Sequence, residues 1–280
     1  MRRRLRRALP KALSVAFMAA LYVFLFAPLV VVAGASLAGG ARPYVSFPPD
    51  RLSLEWYARI PSRYLETIGV SLLLAASTAL CATLLAVPAA LGLVRGRFFG
   101  REAVALLLRA PLQVPFVVVG IAFLQLYYMM GAAIGINPRG HFVGLLLGHV
   151  FLTTPYALGT VTAVLHRFNP RLEEAARMLG ATPWRTFWRV TLPLVMPGVY
   201  AGTLYAFIVS FGEVPVALFL TGSSFTTFPV EMFGALQFDF DPSLLAVSTL
   251  MLIVSMAIIV LFQRMIGVDA LARAIAGRDS

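Results

Sequence analysis

Six apolar runs constrain what this chain can fold into more than any other feature of its sequence. A helix needs about 20 apolar residues to cross the hydrocarbon core of a bilayer, and each run is close to that length or longer. Inside the core every backbone N–H and C=O group needs an internal partner, which a helix supplies within one segment. We therefore predict an all-α integral membrane protein with six transmembrane helices. The predicted spans are residues 13–35, 67–94, 103–130, 142–165, 194–220 and 244–262.

The composition excludes an ordinary soluble protein. Only 12% of the 280 residues are charged and 60% are hydrophobic, whereas a soluble domain carries about twice that share of charge. The net charge of +11 has no soluble basic domain to carry it, so we expect no nucleic-acid partner. The single cysteine, Cys81, permits no internal disulfide and no cysteine-based metal cluster.

The basic residues predict the orientation of the spans. If the N-terminus is cytoplasmic, six Lys and Arg residues precede the first span, four follow the second, five follow the fourth and three follow the sixth. These 18 face only five on the opposite side. The positive-inside rule therefore favours N-in and C-in, with a basic cytoplasmic N-terminus at 1–12 and an external loop at 36–66. The first run resembles a signal peptide, but its apolar stretch of about 20 residues favours an uncleaved anchor.

The longest charged block, residues 173–198, lies between the fourth and fifth runs. Apolar residues recur at its start at i, i+3, i+4 and i+7, which predicts an apolar stripe on a short helix. The stripe consists of Leu172, Ala175, Ala176 and Leu179. Glu173 and Glu174 fall in the first turn of this helix, where the helix dipole favours negative charge.

A turn and a second short helix are predicted after the stripe. Gly180 can take the left-handed conformation that ends a helix. Thr182 is a typical N-cap and Pro183 a typical first helical residue, which predicts a helix over residues 183–190. Leu192-Pro193 is predicted to end that helix and to begin the next apolar run.

The order Glu174-Ala175-Ala176, then Gly180, then Leu192-Pro193 resembles the EAA loop of the membrane subunits of bacterial ABC importers. The resemblance implies a cytoplasmic coupling helix between spans 4 and 5 that seats in a cleft of an ATPase subunit. The implied ATPase-coupling residues are Glu173, Glu174, Ala175, Ala176, Gly180, Leu192 and Pro193. Phe47-Pro48-Pro49, followed by a short interfacial helix from Ser53 with Trp56 and Tyr57, is similar to the same loop in spermidine/putrescine-type permeases.

One acidic residue lies well inside a predicted span. Glu213 stands between Gly212 and Pro215, which should loosen the fifth helix. An ionisable residue within a transmembrane run is by default a functional-site hypothesis. Two roles remain open for it: a structural group that pairs with a neighbouring helix, or a residue of the translocation path. Compared with polyamine-type permeases, one acid is replaced by Gly212 and another by Phe116. The path candidates are Glu213, Ser210, Gln125, Tyr205 and Phe116.

The resemblance implies a permease subunit, with residues 1–280 as one transmembrane domain and a core at about 63–264. Its implied partners are a pair of ATPase subunits, a second identical or different permease, an extracytoplasmic solute-binding protein and the lipid bilayer of a bacterial inner membrane. The sequence has no P-loop of the form GxxxxGK[ST], so we predict no enzyme activity and no cofactor in this chain. ATP and Mg are expected on the partner ATPase. The expected solute is small and polar, polyamine-like or alternatively phosphonate, opine, iron or an oxyanion.

Two other functions remain as alternatives. A secondary transporter driven by an ion gradient would carry several interior acids or broken repeats at the membrane midplane. The predicted spans argue against it, because they hold one interior Glu and no clear internal repeat. A membrane enzyme predicts clustered His or carboxylate residues, which the sequence does not suggest. Dependence of transport on a partner ATPase discriminates the permease from the secondary transporter.

The charge bias generates a prediction about topology. A reporter fused after Asp279 should behave as cytoplasmic, and one inserted near Gly222 as external, because most basic residues then lie inside. Alkaline phosphatase and green fluorescent protein fusions at both sites measure this, since the first is active only outside the cytoplasm. The opposite labelling at either site would overturn the predicted orientation.

Overall fold

The computed structural model describes residues 2–40, 47–222, 225–238 and 240–266, with side chains from Leu13 onward except at residues 263, 265 and 266. Several predictions fall on residues outside this range. They concern the side chains of the basic N-terminal segment, residues 41–46 of the external loop, and the C-terminal Arg273, Arg278 and Asp279.

The described residues form helices joined by turns, without a named strand. Six helical segments are long and apolar enough to cross a membrane, as predicted. The helices are α1 Arg2–Ala35, α2 Glu55–Ala58, α3 Ser62–Arg95, α4 Arg101–Arg109, α5 Phe116–Ile134, α6 Phe142–Arg167, α7 Arg171–Met178, α8 Pro183–Thr186, α9 Leu192–Phe211, α10 Pro215–Leu220, α11 Phe228–Phe238 and α12 Ser243–Ile266.

The third span begins later than predicted. Residues 103–109 belong to the separate amphipathic helix α4, which continues as a 3₁₀ turn at Ala110–Leu112. Pro111 lies in that turn and Pro115 is the extended residue before α5 (φ −55°, ψ 132°). A proline lacks the amide hydrogen that a helix needs and restricts the residue before it. The two prolines therefore separate α4 from α5.

The helix predicted to end at Leu192-Pro193 continues instead. Residues Pro183–Phe211 form one helical segment of 29 residues, with a π-helical stretch at Phe187–Thr191. There the amide of Leu192 donates to the carbonyl of Phe187, five residues back. A π turn widens the helix by one residue and so accommodates Pro193, which has no amide hydrogen and would collide with the preceding turn of an α-helix. At its other end the predicted fifth span is interrupted between α9 and α10.

The chain divides into two compact units, and the first comprises residues 1–64 and 235–256. Its loop after α1 closes on itself through backbone pairing and side-chain hydrogen bonds. The indole nitrogen of Trp56 donates to the carbonyl of Ala38 at 2.8 Å, and the hydroxyls of Ser36 and Tyr57 are 2.8 Å apart. The interfacial helix predicted from Ser53 is the four-residue α2.

The second unit comprises residues 65–234 and 257–280 and holds two buried apolar clusters. The first joins α3, α5, α6 and α10 through Leu74, Val119, Tyr127, Leu145, Leu152, Val216, Ala217 and Leu220. The second joins α3, α6 and α9 through Ala86, Ala90, Leu93, Ala157, Leu158, Val161, Leu165 and Val195. Helices α3 and α6 both contribute to both clusters and therefore connect the two parts of this core.

Two glycines let α9 approach α6 closely. A Cβ atom added at Gly202 would lie 2.5 Å from the hydroxyl of Thr160 and 2.9 Å from the Cα of Ala157. One added at Gly198 would lie 2.8 Å from a methyl of Val164. Small residues four apart allow the tight van der Waals packing that holds helices together where lipid is as apolar as the side chains. The segment that connects α6 to α9 therefore begins and ends on a closely packed pair of helices.

Candidate functional site

The EAA segment, residues 171–193, forms a helix–turn–helix whose bend is closed by backbone hydrogen bonds. Gly180 has a φ of 84°, the left-handed conformation that the sequence predicts. Its amide donates to the carbonyl of Arg177 at 2.9 Å, and the amide of Ala181 donates to that of Ala176 at 3.0 Å. This pair of bonds is the Schellman motif, which satisfies the last carbonyls of α7.

The second arm of the bend begins at a side-chain cap. The hydroxyl of Thr182 accepts a hydrogen bond from the amide of Arg185 at 3.3 Å, and Pro183 occupies the first helical position. Both features were predicted, and both belong to the start of helices in general. The angle between α7 and α8 is therefore built into the local sequence and needs no partner protein to form.

The apolar stripe on α7 is largely exposed. Leu172, Ala175 and Leu179 are exposed and Ala176 is half-buried. The adjoining Met178 and Leu179 are 88% and 89% exposed. Helix α7 therefore presents its apolar side chains outward, without a covering element among the described residues. Exposed apolar patches that no element of the same chain covers are typical of interaction surfaces.

The two adjacent acids of α7 face different environments. Glu173 is 8% exposed, whereas Glu174 is exposed. The Oε1 atom of Glu173 lies 2.7 Å from Nη2 of Arg95 at the end of α3, and it accepts a hydrogen bond from the hydroxyl of Thr191. Both acids are among the predicted ATPase-coupling residues. The contacts of Glu173 with Arg95 and Thr191 could not be predicted from the sequence, because no local pattern relates residues so far apart in the chain.

The remaining two predicted coupling residues lie at the start of α9. Leu192 is half-buried and Pro193 is exposed. Both follow the π-helical stretch directly, so their position in the EAA pattern coincides with the place where the helix geometry changes. π-Helical turns are often found at functional positions.

The side chain of Glu213 caps the helix that follows a break in the predicted fifth span. Helix α9 ends at Phe211 and α10 begins at Pro215, and the Glu213 side chain turns into the gap. Its Oε1 accepts from the amide of Val216 at 2.7 Å and its Oε2 from the amide of Ala217 at 2.8 Å. A carboxylate at this point satisfies amides that the first turn of a helix leaves unpaired and interacts favourably with the helix dipole.

A buried polar pair lies beside this carboxylate. Nδ1 of His149, on α6, is 2.8 Å from the hydroxyl of Ser210, and its Nε2 is 3.8 Å from Oε2 of Glu213. His149 and Glu213 are 1% and 4% exposed, so the carboxylate is closed off within this chain. The geometry favours the structural role for Glu213. His149 is a buried polar residue that joins α6 to α9 through its contact with Ser210.

The other predicted path residues divide into two groups. Phe116 packs on the first apolar cluster, which includes Val216 and Ala217 of the capped helix. Gln125 on α5 and Tyr205 on α9 are exposed. The structure therefore brings Glu213 and Ser210 together in the interior and leaves Gln125 and Tyr205 on the surface of the chain. Among the residues described, no group of three His, Cys, Asp or Glu side chains is placed to hold a metal ion.

Sequence comparison relates most of this chain to known transport proteins. The profile of a family described as "Binding-protein-dependent transport system inner membrane component" matches residues 82–268. The chain is 32% identical over 241 residues to the putrescine transport system permease protein PotI of Escherichia coli (strain K12), with 82% of each chain covered. It is 30% identical over 257 residues to the spermidine/putrescine transport system permease protein PotC of Haemophilus influenzae, covering 89% of this chain and 94% of that protein.

A relative of different named function is also similar. The molybdenum transport system permease protein ModB of Mycobacterium bovis is 36% identical over 196 residues, which cover 67% of this chain and 73% of that protein. Among solved structures, a bacterial ABC transporter involved in the import of the acidic polysaccharide alginate superimposes with a TM-score of 0.72. It covers 91% of this chain at 16% identity, so the likeness concerns the fold.

The capping geometry of Glu213 generates a prediction. In Glu213→Gln an amide nitrogen replaces one carboxylate oxygen and faces a backbone donor, so one buried amide loses its acceptor. Such a loss costs about 1–3 kcal/mol. The variant should melt at a lower temperature than the parent in detergent, measured by differential scanning fluorimetry on the purified protein.

The matched control for that measurement is Gln125→Ala, which removes an exposed side chain and should leave the melting temperature unchanged. Uptake per assembled complex should also change little in Glu213→Gln. A variant with parental stability that has lost uptake would contradict the structural role and restore Glu213 to the translocation path.

Proposed function

We infer the function from the family, because this chain belongs to the inner membrane components of binding-protein-dependent transport systems and is a permease subunit of an ABC importer. It is a multi-pass membrane protein, and its relatives are transport permeases, not enzymes. We propose that the whole chain acts as one transmembrane domain that forms half of a translocation path.

We propose that the EAA segment couples this path to a partner ATPase. The observation that carries the proposal is the exposed apolar face of α7, held at a fixed angle to α8 by the Gly180 turn. Ala175 and Ala176 are small enough to let another protein approach the helix backbone. The exposed Glu174 adds a charge at the edge of this face, where it can pair with a basic residue of the ATPase.

The same proposal assigns the other partners and the location. A pair of ATPase subunits binds ATP and Mg, and a second permease completes the path. An external solute-binding protein delivers the solute, and the complex lies in the inner membrane of a bacterium with the EAA segment in the cytoplasm. The family description supports these assignments, because it names a binding-protein-dependent system and an inner membrane component.

For the solute we propose a polyamine as the first candidate. The relatives named for putrescine and spermidine transport align over 82% and 89% of this chain. Because the Glu213 carboxylate is occupied by the α10 cap, the exposed Tyr205 and Gln125 are the path residues that we propose to contact the solute. An ammonium group can bind over the face of an aromatic ring such as that of Tyr205.

A second candidate is an oxyanion, and a specific observation favours it. Acids that polyamine-type permeases carry are replaced here by Gly212 and Phe116, and the remaining acid is buried in the cap. Without a free carboxylate at these three positions, the path does not repel an anion there. The similarity to a permease named for molybdenum transport supports the same candidate.

The coupling proposal predicts the effect of a change at the bend. Gly180→Val places a β-branched side chain at a φ of 84°, which only glycine adopts without strain. The bend should open, and this should displace the exposed apolar face of α7, which we call the docking face (Leu172, Ala175, Met178 and Leu179). We expect less ATPase to copurify with the permease, and uptake to fall in proportion, while membrane insertion is retained.

Gly135→Val is the matched control. Gly135 ends α5 with a φ of 73°, has open space around its Cα like Gly180, and lies outside the EAA segment. It should cost similar stability yet leave ATPase copurification intact. Equal copurification in Gly180→Val and the parent would contradict the docking role of the EAA segment.

The solute proposal is tested by uptake into vesicles that contain the purified complex of permeases and ATPases with its binding protein. Radiolabelled putrescine should accumulate with ATP, and excess unlabelled spermidine should compete. Molybdate uptake with no putrescine uptake would reject the polyamine and establish the second candidate. Uptake that needs no ATPase would reject the importer assignment as a whole.

A further inference from the structure

Glu173 is the one acidic side chain of α7 that turns away from the docking face. Its neighbours Arg171, Glu174 and Arg177 are exposed, whereas Glu173 is buried. Burying a carboxylate is costly unless it is paired and hydrogen-bonded. Here Oε1 of Glu173 forms an ion pair with Arg95 and accepts a hydrogen bond from the hydroxyl of Thr191, so two contacts fix the carboxylate.

The arginine belongs to the end of a membrane-spanning helix. Arg95 is the last residue of α3, and its Nη2 is 2.7 Å from the Glu173 carboxylate. Its guanidinium carbon also lies 5.4 Å from the ring centroid of Phe168, the residue that follows α6. An ion pair with hydrogen bonding is stronger than a neutral hydrogen bond, and partial burial reduces its screening by water. The ends of α3 and α6 are thus joined to α7 at one point.

The hydroxyl belongs to the start of a second membrane-spanning helix. Thr191 is buried and is the last residue of the π-helical stretch that precedes α9. π-Helical turns are rare and are frequently found at functional sites. The Glu173 carboxylate therefore contacts the helical segment at the position where its geometry changes from π to α.

We propose that Arg95, Glu173 and Thr191 form a transmission link that passes movement of the EAA segment to α3 and α9. Glu173 is a positioning residue in this scheme: it touches neither the solute nor the ATPase. The link rests on the proposed coupling function, but it concerns a different step. The exposed face of α7 docks the ATPase, and the buried face of the same helix carries the displacement into the membrane.

The link also explains why two adjacent acids occur in the first turn of α7. Residues one position apart point in different directions on a helix, so Glu173 and Glu174 lie on different faces. A rigid ion pair with a shared hydroxyl transmits a displacement without first having to order its side chains. Loss of the charge on Glu173 should therefore separate docking from transport.

The test uses the complex of permeases and ATPases with its binding protein and has two readouts. ATPase copurification reports docking, and the stimulation of ATP hydrolysis by the binding protein reports transmission between the spans and the ATPase. In Glu173→Gln copurification should equal that of the parent, while stimulation should fall by about tenfold, a typical coupling factor between distant sites. Arg95→Gln should behave in the same way.

Two further variants separate a link from a merely structural contact. The exchange Arg95→Glu with Glu173→Arg restores an ion pair with reversed polarity and should recover a large part of the stimulation. Glu55→Gln breaks the exposed Glu55–Arg59 pair, which has the same 2.7 Å separation, and should leave both readouts unchanged.

The outcomes decide between the proposals. Parental stimulation in Glu173→Gln would overturn the link, whatever the EAA segment docks. Loss of copurification in that variant would also overturn it, because Glu173 would then support the docking face itself. The docking role is tested separately by Gly180→Val, so failure of the link and failure of the coupling proposal are distinguishable.

Discussion

Hydrocarbon offers no hydrogen-bond partner to a peptide group, and the architecture of this chain depends on that constraint. In six helical segments the backbone N–H and C=O groups are hydrogen-bonded within the helix. At two interruptions other groups of the chain supply the missing hydrogen bonds. At the break after Phe211, the Glu213 carboxylate accepts the free amides of α10. Before Pro193, a π turn shifts the backbone bonds by one residue. An unsatisfied amide in such a place would cost several kcal/mol.

In the described part of the second unit two acids are buried, and they take their hydrogen bonds from different kinds of partner. Glu213 takes its hydrogen bonds from the backbone and stabilises a break in one helix. Glu173 takes its bonds from the side chains of Arg95 and Thr191 and joins separate helices. A cap acts within a few residues, so it shapes local structure. A contact between helices can transmit movement, so the transmission link lies at Glu173 and not at Glu213.

The α6–α9 pair connects this local chemistry to function. Gly198 and Gly202 allow the two helices to pack closely, and the EAA segment connects their neighbouring ends. A short segment held at both ends by packed helices can project an exposed face without losing its shape. The exposed apolar residues of α7 therefore belong to a preformed surface, and a partner that binds it pays little ordering entropy.

The helical class, six spans, the Gly180 turn and the Thr182 cap could all be predicted from the sequence, because hydropathy, turn chemistry and capping act over a few residues. The sequence misplaced the start of the third span, since two closely spaced prolines can kink a helix or divide it. It also left the role of Glu213 open and gave no sign of Arg95 as the partner of Glu173. These features depend on the packing of distant helices, because a buried charge is satisfied by whichever groups that packing brings within hydrogen-bond distance.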